Sequence, residues 1–308
     1  MQGNKGIQAP VFNIVHGSFV DGWGVRTTVF LKGCPLRCLW CCNPEGQKLE
    51  LELKYTEADC NGCGQCVTSC SLGAIRMSES LSPHALIDRK LCNNCLRCIE
   101  SCYTNALGSF GTMYTVDELF QMVKKDMRYF GTDGGVTIGG GEATVYPEFT
   151  LELLKKCKAA FIHTALDTCG YITTSVGIAA LAEADLVLYD IKGMDEKNHY
   201  ECTGVSNKVI LENLLYRDSL KKEIIIRLPI IPNYTDSEDN LIKTADFLAT
   251  LKSVRRVDIL PFHRYGTIKY EQLGLLYSLG NSKEITNDRL EVIKKIFEKR
   301  NLNAQIGG

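Results

Sequence analysis

Outside residues 51–110 the chain alternates short apolar runs with longer segments whose apolar positions recur at helical spacing. Runs at 27–32, 136–139, 162–167, 186–191, 224–229 and 258–262 are rich in Val, Ile, Leu and Thr and mostly end in turn residues, which predicts strands. Segments 116–130, 148–160, 175–183, 208–217, 238–251 and 288–299 read as helices. Within the second of these, Phe149, Leu151, Leu153, Leu154 and Cys157 form an imperfect apolar stripe. Asp236-Ser237-Glu238-Asp239 is a good helix start, and Asn301 a plausible helix end. Strand–helix alternation predicts an α/β fold with parallel strands joined by crossover helices. Six such units are too few for a closed eightfold barrel.

Composition narrows the class. The 308 residues, 45% hydrophobic, suffice for one large core plus an insert. A net charge of −1 without a basic stripe argues against nucleic acid as a partner. The first ten residues lack an apolar signal core, and no run approaches the roughly 18 apolar residues of a membrane helix. Segment 224–231 is broken by Arg227 and Pro229. A soluble cytoplasmic protein is expected. Twelve of the fifteen cysteines fall between Cys34 and Cys102, mostly two or three residues apart. Neighbours that close suit ligation better than disulfides, which implies a reducing, anoxic compartment. The sequon Asn233-Tyr234-Thr235 is then a chance match.

The cysteines fall into three arrays. Cys34-x3-Cys38-x2-Cys41 supplies three thiolates and no fourth. A cubane held this way keeps one iron open, which marks a reactive cluster and not an electron store. Cys60-x2-Cys63-x2-Cys66-x3-Cys70 recurs as Cys92-x2-Cys95-x2-Cys98-x3-Cys102, the two-cluster bacterial ferredoxin pattern. In that pattern the fourth cysteine crosses over. Cys60, Cys63, Cys66 and Cys102 then hold one [4Fe-4S] cluster, and Cys92, Cys95, Cys98 and Cys70 the other. Ser71 and Tyr103 stand where proline is usual, a position that ligates nothing. Two four-thiolate zinc sites would also satisfy the eight cysteines, although zinc sites usually pair C-x2-C knuckles. Cys42, Cys157, Cys169 and Cys202 are read as non-ligands.

Further motifs follow in order. Arg26-Thr27-Thr28-Val29-Phe30-Leu31-Lys32-Gly33 runs into the first triplet and Asn43-Pro44-Glu45 follows it. Then come Gly139-Gly140-Gly141-Glu142, Asp167-Thr168-Cys169-Gly170, Asp190-Ile191-Lys192 and Leu260-Pro261-Phe262-His263-Arg264-Tyr265-Gly266. With these, nearly the whole chain resembles the radical S-adenosylmethionine (radical SAM) enzymes. More narrowly it is similar to the activating enzymes of glycyl radical enzymes, the pyruvate formate-lyase activase group. The resemblance implies a partial (β/α)6 TIM-like barrel over 1–50 and 111–308, open on one side for a large substrate. A ferredoxin-like two-[4Fe-4S] domain is inserted at 51–110. It also implies that S-adenosylmethionine chelates the open iron, and that its cleavage yields a 5'-deoxyadenosyl radical that takes hydrogen from a backbone glycine of a partner enzyme.

By the same resemblance Trp40 stacks on adenine, and the Gly140-Gly141-Glu142 backbone and carboxylate hold the methionine ammonium. Asp167, Thr168, Asp190, Ile191 and Lys192 bind the cofactor, with Lys192 near its carboxylate and the two aspartates near a monovalent cation. His263 contacts ribose or methionine. These motifs sit at or just after the ends of the expected strands, where barrels carry their chemistry. No general base is required, because a carbon radical removes hydrogen directly. Val20-Asp21-Gly22-Trp23-Gly24 departs from the family's usual H-D-G-[PD]-G, leaving that loop's part in partner binding open. A reduced flavodoxin or ferredoxin is the expected donor, relayed through the insert, and a monomer is the expected state. Several motifs lean toward the group that activates choline trimethylamine-lyase. Two other readings use parts of the same chain: a radical SAM enzyme acting on a small molecule or installing a peptide modification, and a ferredoxin-type carrier.

Overall fold

The computed structural model describes residues 6–308. Its strands are β1 (Gln8–Ser18), β2 (Arg26–Leu31), β3 (Glu52–Tyr55), β4 (Ile75–Met77), β5 (Ala85–Ile87), β6 (Leu107–Phe110) and β7 (Thr112–Thr115). Next come β8 (Gly135–Gly140), β9 (His163–Thr168), β10 (Leu186–Asp190), β11 (Glu223–Ile230), β12 (Val254–Pro261) and β13 (Ala304–Ile306). The helices are α1 (Gln65–Ser69), α2 (Val116–Asp126), α3 (Pro147–Ala159), α4 (Ser175–Glu183), α5 (Glu196–Thr203), α6 (Lys208–Ser219), α7 (Glu238–Leu248), α8 (Thr267–Leu273) and α9 (Asn287–Glu298).

Nine strands form one sheet in the order β13-β12-β11-β10-β9-β8-β2-β1-β7. From β2 through β13 every pairing is parallel, while β1 runs antiparallel to β2 and β7. β2 and β8 to β12 coincide with the six strands expected from the apolar runs, and crossover helices return the chain between them. The edges β13 and β7 stay apart, so this is an open, partial TIM-like barrel. β1, β7 and β13 were not legible: β13 has three residues, and β1 carries Pro10 inside a mixed apolar and polar run. α5 and α8 were missed as well, being short and weakly patterned.

Period-two alternation sorts each strand's side chains between two cores. In β10, Val187 and Tyr189 join the large cluster under the helices, whereas Leu186 and Leu188 face inward with Ala165 and Ile225. Trp23 packs on this inner cluster, at the N-terminal mouth of the barrel. Its indole N–H donates to Glu223 Oε2 at 3.2 Å, and the Arg256 guanidinium lies 4.6 Å from its ring centroid. The turn that brings it there needs glycine: Gly24 has φ +65°, and a Cβ on it would meet the Gly134 amide nitrogen at 2.4 Å.

Helix ends follow local chemistry. Thr115 and Glu118 form a reciprocal capping box on α2, and Ser237 caps α7 by accepting from the Asn240 amide. Helix 116–130 stops at Asp126 and continues as a 3-10 turn over Met127–Tyr129. Asn301 takes φ +60° just past α9, as a helix stop should.

Between β2 and β7, β3 pairs with β6 and β4 with β5, both antiparallel. Leu53, Cys66, Ile75, Ala85, Cys98 and Leu107 are their common core. The two cysteine runs repeat in backbone as well as in sequence. Gly62, Gly64 and Gly73 have positive φ, and so do Asn94, Leu96 and Asn105 at the corresponding places. Among the described residues no helix is long and apolar enough to cross a membrane.

Candidate active site

β2 hands the chain to the cysteine loop through Gly33, whose φ of +89° is strained for any residue with a Cβ. The amide of Cys34 donates to the Gln47 carbonyl (3.1 Å), that of Arg37 to Thr203 (2.7 Å) and that of Leu39 to Cys202 (3.0 Å). The end of α5 therefore backs the loop on one side. On the other, α8 clamps it. The Tyr270 hydroxyl donates to the Cys41 carbonyl (3.0 Å), and Lys269 Nζ donates to Asn43 Oδ1 (2.7 Å) and pairs with Glu45 Oε1 (2.5 Å). Cys34, Cys38 and Cys41 are half-buried. Burial pushes the Cys38 thiol well up, against the pull of Lys192, and raises Cys41 to about 11, with Cys42 adding to the shift. Cys34 goes the other way, because a hydrogen bond from the Cys169 thiol favours its thiolate over the opposing effect of burial. Thiols crowded like this gather as thiolates when a metal offsets their charge.

The ends of β8, β9, β10 and β11 converge beside that loop. A Cβ on Gly140 would lie 2.1 Å from the Leu31 carbonyl oxygen, and one on Gly141 would lie 2.3 Å from that of Gly33 and 2.2 Å from that of Gly46. The glycines thus let the β8 end pack on the chain that carries Cys34. Glu142 is 1% exposed. Its carboxylate accepts from the Thr144 amide (3.0 Å) and hydroxyl (2.7 Å), the Thr168 hydroxyl (2.8 Å) and the Cys169 amide (2.7 Å). Those donors fill the lone-pair sites of a carboxylate. The Glu142 oxygens are therefore engaged by protein, not free for an ammonium as the resemblance implied; the residue locks the β8 end to the β9 end.

Charge gathers one strand further on. Arg227, on β11, donates to Asp167 Oδ2 (2.9 Å), to Asp21 Oδ1 (3.1 Å) and to the Val20 carbonyl (2.7 Å). Lys192 pairs with Asp190. Burial raises the Asp167 carboxyl to about 7 despite Arg227, and Asp190 and Asp21 add to the rise. Asp21 goes down instead, because Arg227, Ser18 and Thr28 together outweigh its burial. Burial pulls Lys192 down, but Asp190 and Cys38 together outweigh it and the ammonium is raised. Asp21, Asp167 and Asp190 thus face Arg227 and Lys192 at this end of the barrel.

Residues 93–245 match the Radical SAM superfamily, 59–106 a 4Fe-4S dicluster domain, and 20–79, which contain the triplet, a 4Fe-4S single cluster domain. The choline trimethylamine-lyase activating enzyme of Oleidesulfovibrio alaskensis is 40% identical over 95% of this chain and 96% of its own. The chain belongs to the glycyl-radical-enzyme activating enzymes. The isethionate sulfite-lyase activating enzyme of Nitratidesulfovibrio vulgaris is 41% identical over 92% of this chain and 94% of its own. Among solved structures, Streptococcus suis SuiB bound to precursor peptide SuiA covers 64% of this chain and 43% of its own, with 18% identity and a TM-score of 0.51, a likeness of fold.

The residues of this activating enzyme fit iron–sulfur groups. Cys60, Cys63, Cys66 and Cys102 line one insert pocket, and Cys70, Cys92, Cys95 and Cys98 line another. That is the crossed grouping of the ferredoxin pattern. Among the described residues, no three such side chains close on a point that a single ion would occupy.

The remaining expected site residues fall in two groups. Thr168 stands in the site but is bound to Glu142 and the Gly170 amide. His263 follows β12, its ring stacked 4.5 Å from that of Tyr265. Trp40 is 8% exposed, in a cluster with Phe262, Tyr270 and Tyr277; the cysteine loop is less open around it than an exposed stacking face requires. Ile191 is turned away: its side chain lies in the core under the helices, because strand alternation separates it from Asp190 and Lys192. Cys157 lies in the same core. Sequence reasoning missed Asp21 and Arg227. The available signal was a charged residue inside the otherwise apolar β11.

Proposed function

We propose that this activating enzyme arms choline trimethylamine-lyase or a near relative of it. Cys34, Cys38 and Cys41 would hold the first cubane, and the two insert cavities one each, three in all. When bound, the cluster and S-adenosylmethionine supply a 5'-deoxyadenosyl radical that abstracts hydrogen from the partner's backbone glycine. The chain's own residues position and exclude. Lys192 pairs with the methionine carboxylate, and the Gly140-Gly141 backbone faces the ammonium. Asp167 and Asp190 take a monovalent cation, His263 a ribose or methionine oxygen, and Trp40 walls the adenine.

The observation that carries this reading is a three-thiol loop at the strand ends in a chain matched end to end by enzymes of this activity. Residues 51–110 serve as the ferredoxin-like insert, fed by a reduced flavodoxin or ferredoxin, in a cytoplasmic monomer. Relatives named for choline and for isethionate lyases stand at 40% and 41% identity, so identity alone does not choose the partner. Anaerobic reconstitution with iron, sulfide, S-adenosylmethionine, reductant and each lyase separately tests the choice. A glycyl doublet in electron paramagnetic resonance with the choline lyase is expected. A doublet only with another lyase refutes the partner, and turnover of a free metabolite without any doublet refutes the function.

A further inference from the structure

The insert is a twofold repeat, and its two halves differ in charge where they agree in cysteine spacing, backbone and exposure. Adding 32 to each position of the first cysteine run gives the second. Each half has one exposed cysteine, Cys63 or Cys95, and one buried, Cys66 or Cys98. Each crossing sulfur accepts one backbone amide: Ala74 to Cys70 at 3.3 Å, and Leu107 to Cys102 at 3.4 Å. The exposure of the ligand cysteines and the backbone bond to each crossing sulfur, which act on a cluster's potential, are therefore matched between the halves.

Charge is not matched. Three residues before its first cysteine the first half carries Glu57 and the second Arg89; five residues after it stand Gln65 and Arg97. Over residues 56–70 the acids Glu57 and Asp59 give −2, whereas over 88–102 Arg89, Lys90 and Arg97 against Asp88 and Glu100 give +1. The cations lie against the second cavity. Arg89 donates to the carbonyl of Leu53, which lines it, at 2.6 Å, and Arg97 to the hydroxyl of Ser71, which also lines it, at 3.3 Å. Arg89 is half-buried, so solvent screens it less than the exposed Arg97.

We propose that the two insert cubanes are unequal, and that the one held by Cys70, Cys92, Cys95 and Cys98 is the more easily reduced. An electron passed from a reduced one-electron carrier makes a cubane one charge more negative, and adjacent guanidinium groups stabilise that state. The electron therefore comes to rest at the second station. Arg89 also ties that station to the barrel. Its other arm donates to the Gln272 carbonyl (2.8 Å) at the end of α8, the helix whose Tyr270 holds the Cys41 carbonyl. This inference rests on the reading that the insert carries two cubanes.

Redox titration of the anaerobically reconstituted full chain, followed by electron paramagnetic resonance, tests it without any activation assay. Two insert signals at separate potentials are expected. Arg89→Gln should lower the higher one and leave the lower in place, Arg97→Gln should lower the same signal by less, and Glu57→Gln should raise the other. About twelve irons per chain certify that all clusters are present. A single common potential, or a higher signal that neither arginine variant moves with iron retained, overturns the proposal. If Arg89→Gln loses iron, the exposed Arg97→Gln decides. Iron near about four per chain would instead overturn the two-cubane reading beneath it.

Discussion

Gly62 and Gly64 look alike in the sequence, and only their surroundings tell them apart. Both have φ +73°. A Cβ on Gly62 would sit 2.3 Å from the Pro83 carbonyl oxygen, whereas the atom nearest a Cβ on Gly64 is Met77 Cγ at 4.0 Å. The chain itself places Leu96 at the position equivalent to Gly64. Gly64→Ala should therefore cost about 1–2 kcal/mol of backbone strain, and Gly62→Ala clearly more. Hydrogen exchange of the insert amides measures the difference, and equal costs would contradict the clash. Asp167 carries a second expectation. Its folded value near 7 stands above the roughly 3.9 of an unfolded aspartate. Its contribution to the stability of the cofactor-free chain is thus full below about pH 4 and lost as pH rises through about 7. Asp167→Asn should flatten the pH dependence across that window, as denaturation midpoints would record.

At the scale of elements, α8 does more than its seven residues suggest. It reaches Asn43 and Glu45 through Lys269, Cys41 through Tyr270, and Thr56 through Gln272 (Nε2 to Oγ1, 3.0 Å). It therefore joins the cysteine loop to the insert. Lys269→Met would leave the buried Glu45 without its cation, at a cost of about 1–3 kcal/mol. The amides of residues 41–47 should exchange faster in that variant, while those of α3 stay unchanged. An unchanged loop would mean that α5 alone holds it. Helix caps follow the usual rule: Ser237→Ala should destabilise α7 by about 1 kcal/mol, read from the thermal midpoint.

Across the whole molecule, the barrel is stopped at one end and reactive at the other. Trp23 fills the N-terminal mouth, and Asp21, two residues earlier, reaches through Arg227 to Asp167 on the reactive side. Trp23→Ala should cost about 2–3 kcal/mol, less than a fully buried tryptophan because the ring is half-exposed. The loop that departs from the family pattern at Val20 and Trp23 is thus also part of the barrel's packing. A denaturation midpoint equal to that of the unaltered chain would refute this.

Six parallel strands, the helices between them and the cysteine arrays were legible before any contact was known. Those signals are local: a period of two or of 3.6, or a ligand spacing of two or three residues, is complete within a short window. Which partners meet follows only from the folded chain. Arg227 lies 60 residues from Asp167 and 206 from Asp21, and Tyr270 lies 229 from Cys41. The fold decided too that Glu142 turns to Thr168 and Cys169, and that Ile191 faces away from the site its motif named. No window of sequence contains such pairs, because sheet order and crossover geometry bring them together only once the chain has closed on itself.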